Sequence, residues 1–167
     1  MISKDDLLTS MLRECGICLH LHGKVPPDGF DFRFTPAQRS TLELLRYVSF
    51  VGLGATRGLV TGEWDAYQAL EQAAEDLEAA DFPAAVERQK ADLSDVFARL
   101  TDADLADRTA SLPWGDEAPL GRALLELAYA SLVAYRMQLF LHAKVAGNAS
   151  LATPNCWAGV DMPDQSS

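Results

Sequence analysis

Long uncharged apolar runs are missing from this sequence. The stretch from Val48 to Thr56 is too short to cross a bilayer, so no membrane partner is expected. Positive charge is also scarce. Fourteen Lys and Arg stand against 24 Asp and Glu, giving a formal net charge of −10. The basic residues are scattered and form no stripe. Nucleic-acid affinity comes largely from Lys and Arg displacing counterions, so nucleic acid is not expected as a partner. The acidity suits solubility. Aromatic residues are few, at 8%, but 49% of the chain is hydrophobic. That composition belongs to a folded domain and not to a disordered chain.

Cysteine is limited to three residues, an odd number with no disulfide framework. This predicts a reducing, cytoplasmic location. Residues Met1 to Asp6 show no basic segment followed by an apolar one, so no signal peptide is expected. No phosphate loop, dinucleotide fingerprint or nucleophile elbow is present.

What remains is helical periodicity. A first helix is predicted from about Asp5 to His22, capped by Ser3 and stopped by Gly23 and Pro26-Pro27. The segment Val25 to Pro36, with Phe30, Phe32 and Phe34 alternating, reads as an extended strap. A second helix is predicted from Ser40 to about Val60. Ser40 and Glu43 have capping-box spacing, and Gly52 and Gly54 either permit close helix approach or mark a kink. Trp64 to Leu77 reads as a short helix or an extended connection. A third main helix begins at Asp81 as the cap, with Pro83 in its first turn. Leu112 to Gly115 reads as a turn. The fourth helix runs from about Pro119 to Val145 and is the central, most apolar one. The predicted fold is all-α: a four-helix bundle with a long crossover connection after the second helix and an irregular C-terminal tail. Residues 1–147 form the bundle domain, and residues 148–167 form a tail expected to pack on it.

Two constellations carry polar chemistry. Ser131, Tyr135, Gln138 and His142 are spaced four, three and four apart, on one face of the fourth helix. A buried polar stripe either satisfies itself within the core or lines a pocket, and both readings stand. His142, near the helix end, is also compatible with simple exposure, and Glu126 is expected to pair with an arginine such as Arg46. Cys15-Gly16-Ile17-Cys18, followed by His20 and His22, contains Cys-x-x-Cys-x-x-x-His and resembles the redox motif of AhpD-like helical proteins. Redox work needs an accessible low-pKa thiolate. The apolar neighbours Met11 and Leu12 point instead to core cysteines.

Arg39 to Tyr47 (Arg-Ser-Thr-Leu-Glu-Leu-Leu-Arg-Tyr), Tyr135-Arg136-Met137-Gln138-Leu139 and Asn155 to Asp161 together resemble segments of the DinB/YfiT-like superfamily of four-helix bundles. The resemblance implies a divalent-metal site with one histidine from the second helix and two, four residues apart, from the last. It also implies, for some members, thiol-dependent transferase or isomerase activity. The matching positions here are Tyr47, Ser131 and Tyr135, and none is histidine. Hydroxyl oxygens replace imidazoles poorly, and a phenol must lose a proton near pH 10 to serve. The expectation is therefore a degenerate site holding no metal and no cofactor. The chain then acts as a small-molecule-binding or structural protein, a homodimer through the apolar faces of its second and fourth helices. Tyr47, Ser131 and Tyr135 line the pocket, with Gln138 and His142 as neighbours. The alternatives are a thiol-dependent transferase-type enzyme using a low-molecular-weight thiol, and a redox protein using Cys15 and Cys18.

Overall fold

The computed structural model describes residues 3–161. Helix α1 (Lys4–His22) opens on a capping box in which the Ser3 hydroxyl accepts from the Asp6 amide and the Asp6 carboxylate accepts from the Ser3 amide. The strap follows. Its Phe30 and Phe32 carbonyls accept from the Leu42 and Thr41 amides, both at 2.9 Å, and so satisfy the first donors of the next helix.

The predicted second helix is two helices, α2 (Thr41–Val48) and α3 (Val51–Thr61). The break falls at Ser49 and Phe50, ahead of the glycines. The Ser49 hydroxyl donates back to the Arg46 carbonyl at 2.7 Å, and Phe50 adopts φ −134°. A serine bonding its own backbone competes with the helical ladder. Gly52 and Gly54 serve close approach. A Cβ on Gly52 would lie 2.9 Å from the Leu132 side chain, and one on Gly54 would lie 2.7 Å from the Tyr67 ring.

The crossover contains α4 (Asp65–Ala74), packed on α3. Then come α5 (Phe82–Ala98), with Pro83 in its first turn, and α6 (Asp102–Asp107). Asp81 precedes α5, but its side chain makes no cap bond. Leu112 to Gly115 is a turn, as its composition indicates. It joins two three-residue strands the sequence reading lacked, β1 (Thr109–Ser111) and β2 (Glu117–Pro119), paired antiparallel. The last long helix, Leu120–Val145, is continuous. It comprises α7 (Leu120–Ala123), a π-helical stretch Leu124–Tyr129 and α8 (Ala130–Val145). Although it includes Glu126, Arg136 and Lys144, it is long and apolar enough by length and composition to cross a membrane.

The bundle is all-α in class. Helix α1 contacts α5 and α8, while α2 and α3 contact α8, the π-helical stretch and α5. Its core includes Met11, Leu44, Leu45, Phe82, Leu93, Phe97, Leu132 and Leu139. Every residue from Val48 to Thr56 is buried. That stretch of the second-helix region is covered by its own chain, while Leu42, Tyr47 and Val60 on either side stay partly exposed. Residues 148–161 run back over α1 through α9 (Thr153–Ala158), which also touches α8. The remainder of the predicted tail, 162–167, lies outside the described residues.

Candidate functional site

The residues of the presumed metal position are brought partly together. Tyr47, on the last turn of α2, meets Tyr135 of α8 edge to face, with centroids 4.7 Å apart. The Tyr47 hydroxyl shares a 2.9 Å hydrogen bond with the Tyr67 hydroxyl from the crossover. Phe50 closes one side of Tyr47 at 5.4 Å, and the Arg39 guanidinium lies over the Tyr47 ring at 4.2 Å. Such contacts fix aromatic rings against one another and against a cation. Ser131 stands one turn before Tyr135, half-buried. Tyr67 and Arg39 were absent from the predicted set. Their signal was weak, since neither lies on the polar stripe of the fourth helix.

This donor set fits a divalent transition ion poorly. Burial, and then the bond to Tyr67, push the Tyr47 hydroxyl far above the ordinary phenol range, so the phenolate is not formed near neutral pH. Among the described residues, no three His, Cys, Asp or Glu side chains gather where they could hold a metal.

Gln138 and His142 belong to a different place. With Phe34, Gln38, Arg39 and Leu141 they line an open groove of about 740 Å³. The polar stripe of the fourth helix therefore divides: its first half packs against the tyrosines, and its second half faces the groove. His142 is buried at 4% exposure, contrary to the reading of an exposed helix end. Its Nδ1 lies 3.0 Å from the Thr41 hydroxyl, and the edges of Phe32 and Phe34 stand 5.5 and 4.9 Å away. The strap covers it, which periodicity alone does not show.

Desolvation holds the His142 imidazole below its ordinary value. His20 is lowered too, again chiefly by desolvation. In the unfolded chain both protonate first, as pH falls through about 6.5. Stability is therefore fully present above that pH and falls as acid is added, until the folded-state imidazoles protonate in turn. Urea unfolding at about pH 7.5 and about pH 5 is expected to show this loss, and His142→Phe to lose less over the same interval.

The cysteine motif is placed in the core. Cys15 and Cys18 are fully buried. Burial lifts the Cys15 thiol to about 12 and raises Cys18 well above its ordinary value. A thiol so raised offers little thiolate. Neither histidine of the motif serves these thiols. The His22 Nε2 lies 2.7 Å from the Ala79 carbonyl, and the His20 Nε2 lies 3.1 Å from the Asn155 amide. Glu126 pairs with Arg122 one turn away at 2.6 Å. It does not reach Arg46, which donates to the Leu77 carbonyl at 2.8 Å.

The sequence reading also missed a buried ion pair. Arg136 of α8 bonds Glu14 of α1 through its Nε, with each side chain 3% exposed. Its Nη1 donates to the Cys156 carbonyl at 2.6 Å, and its guanidinium lies 5.3 Å from the centre of the Trp157 ring. One arginine thus ties α1, α8 and α9 together.

Among solved structures, the chain is similar to YjoA, a DinB-like protein of Bacillus subtilis. The TM-score is 0.67 at 19% identity, covering 89% of this chain and 96% of that one. The chain has the DinB-like fold. No family model matches the chain, and no curated protein matches it in sequence.

Proposed function

We propose that this DinB-like bundle works without a metal, as a binding protein for small organic anions that carry a planar apolar part. The observation that carries the reading is the contrast between two neighbouring places. At the position where the resemblance calls for ligands, Tyr47, Tyr67 and Tyr135 interlock under Arg39. Beside it, the groove lined by Arg39, Gln138 and His142 stays open.

Among the described residues, Arg39 is the only charged one lining that groove. Among the described residues no carboxylate pairs with it. On a chain of net charge −10, Arg39 gives the groove lining one positive charge. The neutral imidazole and the two glutamine amides can donate and accept hydrogen bonds, while Phe34 and Leu141 offer apolar contact. Three free, buried thiols support a reducing compartment.

Benzoate is a suitable probe, read by ligand-observed NMR and calorimetry. The expected result is saturable binding that Arg39→Ala weakens at least about tenfold, the loss of one charge-assisted contact. Binding unaffected by Arg39→Ala refutes the groove. Stoichiometric nickel or zinc in the purified protein refutes the metal-free reading. Turnover of an electrophile with a low-molecular-weight thiol, lost in Tyr135→Phe, establishes the transferase alternative instead.

A further inference from the structure

A second cavity, of about 460 Å³, opens between the start of α1, α6 and the first turns of the last long helix. Leu125 in its wall and Gln138 in the Arg39 groove lie about 20 Å apart along that helix. The lining is mostly aliphatic. Leu7 and Leu105 form a buried floor, Ala106 is small, and Leu125 stands at the side, 40% exposed. Gly121 lets α7 approach α6, since a Cβ there would lie 3.2 Å from both the Leu105 side chain and the Leu105 carbonyl. Leu125 belongs to the π-helical stretch, a local geometry frequent at functional sites. Size and apolar walls together are those of a small-molecule site.

We infer that this cavity binds a compact aliphatic amine, with the ammonium group on Asp102 and the hydrocarbon body among Leu7, Leu105 and Leu125. Charge selects the head group. Two ionised side chains, Asp102 and Arg122, line the cavity. Arg122 is answered by Glu126, to which its Nε donates at 2.6 Å. Asp102 is not answered by a charge. Its Oδ1 accepts from the Lys4 amide at 2.7 Å, and among the described residues no basic side chain pairs with it. The Lys4 ammonium is turned to Asp5 instead, at 3.0 Å. The unbalanced charge of the site is therefore negative. The Ser3 hydroxyl already donates to Asp6, so it keeps only acceptor capacity, which suits an ammonium too. An acidic chain also raises the local concentration of cations.

The walls select the body. Among the described residues no aromatic side chain lines the cavity, so it offers neither ring stacking nor a cation–π contact. Leucine and alanine walls reward branched or cyclic hydrocarbon through the water they shed. Asp102 is exposed at the rim, so the ammonium keeps part of its hydration while the hydrocarbon goes inward, as a lysine side chain does at an apolar surface. The sign of its charge also sets this site apart from the anion-binding groove, and neither depends on the other.

Cyclohexylamine is the probe, with cyclohexanecarboxylate as the matched anion. Each is titrated into the isotope-labelled full chain and followed by backbone amide shifts and calorimetry. The expected result is saturable binding of the amine, with the largest shifts at Leu7, Leu105, Gly121 and Leu125, and no shift of those amides by the carboxylate. Asp102→Asn is expected to weaken the amine at least about threefold, the loss of one charge at an exposed rim. The asparagine keeps an Oδ1 acceptor for the Lys4 amide, so the circular dichroism spectrum stays that of wild type. Ala106→Trp, at an exposed position, fills the mouth and is expected to abolish binding. Arg39→Ala is expected to leave amine binding unchanged, which keeps a failure here distinct from a failure of the groove. Four outcomes each overturn the proposal: shifts scattered over the acidic surface without saturation, amine binding that survives Ala106→Trp, a smaller loss in Asp102→Asn, and cyclohexanecarboxylate held at the same amides as tightly as the amine.

Discussion

Arg136→Met lowers the unfolding free energy by about 3–5 kcal/mol, the cost of leaving a buried carboxylate without its counter-charge. Glu14 has no other route to water, being 3% exposed as a side chain. The loss is a large share of the 5–15 kcal/mol typical of a whole domain. The ion pair itself need not be stabilising, because two charges removed from water give up solvation that their attraction only partly returns. The double variant E14L/R136M is therefore expected to recover part of the loss. The recovery stops short by about 1–3 kcal/mol, since the Cys156 carbonyl also loses its donor. Urea unfolding measures both numbers. Hydrogen exchange separates the two effects: the amides of α9 stay fast in the double variant while those of α1 and α8 return to wild-type protection. A single variant within about 1 kcal/mol of wild type, or a double variant worse than the single, rules this account out.

That pair was legible in the sequence and was not read. Glu14 lies within the buried series Leu7, Met11, Glu14, Cys18, Leu21, and Arg136 within Leu132, Arg136, Leu139, Ala143. Opposite charges on two core stripes are a signal that each needs the other. The four main helical regions, the Ser3 cap, the Ser40–Glu43 capping box and the all-α class followed from periodicity and local rules. Those features depend on residues within a few positions of one another. Motif resemblance singled out Tyr47, Ser131 and Tyr135, and the structure brings the two tyrosines into contact. What periodicity could not supply was everything set by distant contacts. Tyr67 reaches the site from the crossover. The strap buries His142, so a helix-end histidine becomes a desolvated one. The stripe Ser131, Tyr135, Gln138, His142 shares a face by arithmetic, yet Arg39 and the strap divide its surroundings into a packed half and an open half. The break at Ser49 and Phe50 is of the same kind, because a buried side chain from another helix supports it.

That side chain is Gln89 of α5, 2% exposed. Its Oε1 accepts from the Leu53 amide at 3.1 Å, and its Nε2 donates to the Val48 carbonyl at 3.0 Å. A helix interruption strands carbonyls at the end of one segment and amides at the start of the next. Here one amide group answers one of each, and its Nε2 also lies 3.9 Å from the Cys15 sulfur of α1. Gln89→Leu keeps the volume but leaves a backbone donor and an acceptor dry. The expected loss is about 2–4 kcal/mol, near the sum of two unsatisfied buried groups. Gln89→Glu distinguishes hydrogen bonding from packing. At neutral pH the introduced carboxylate can still accept from Leu53, but it faces the Val48 carbonyl and is buried as a charge, so it is expected to destabilise at least as much as leucine does. Burial raises its folded-state pKa above the ordinary value near 4.3. Its penalty is then smallest in acid, where the protonated carboxyl can donate to Val48, and grows as pH rises through that value. Gln89→Leu shows no such dependence relative to wild type. Urea unfolding of the three proteins across pH measures the contrast. If the leucine and glutamate variants run parallel to wild type at every pH, Gln89 only fills space and the junction of α2 and α3 is held by something else.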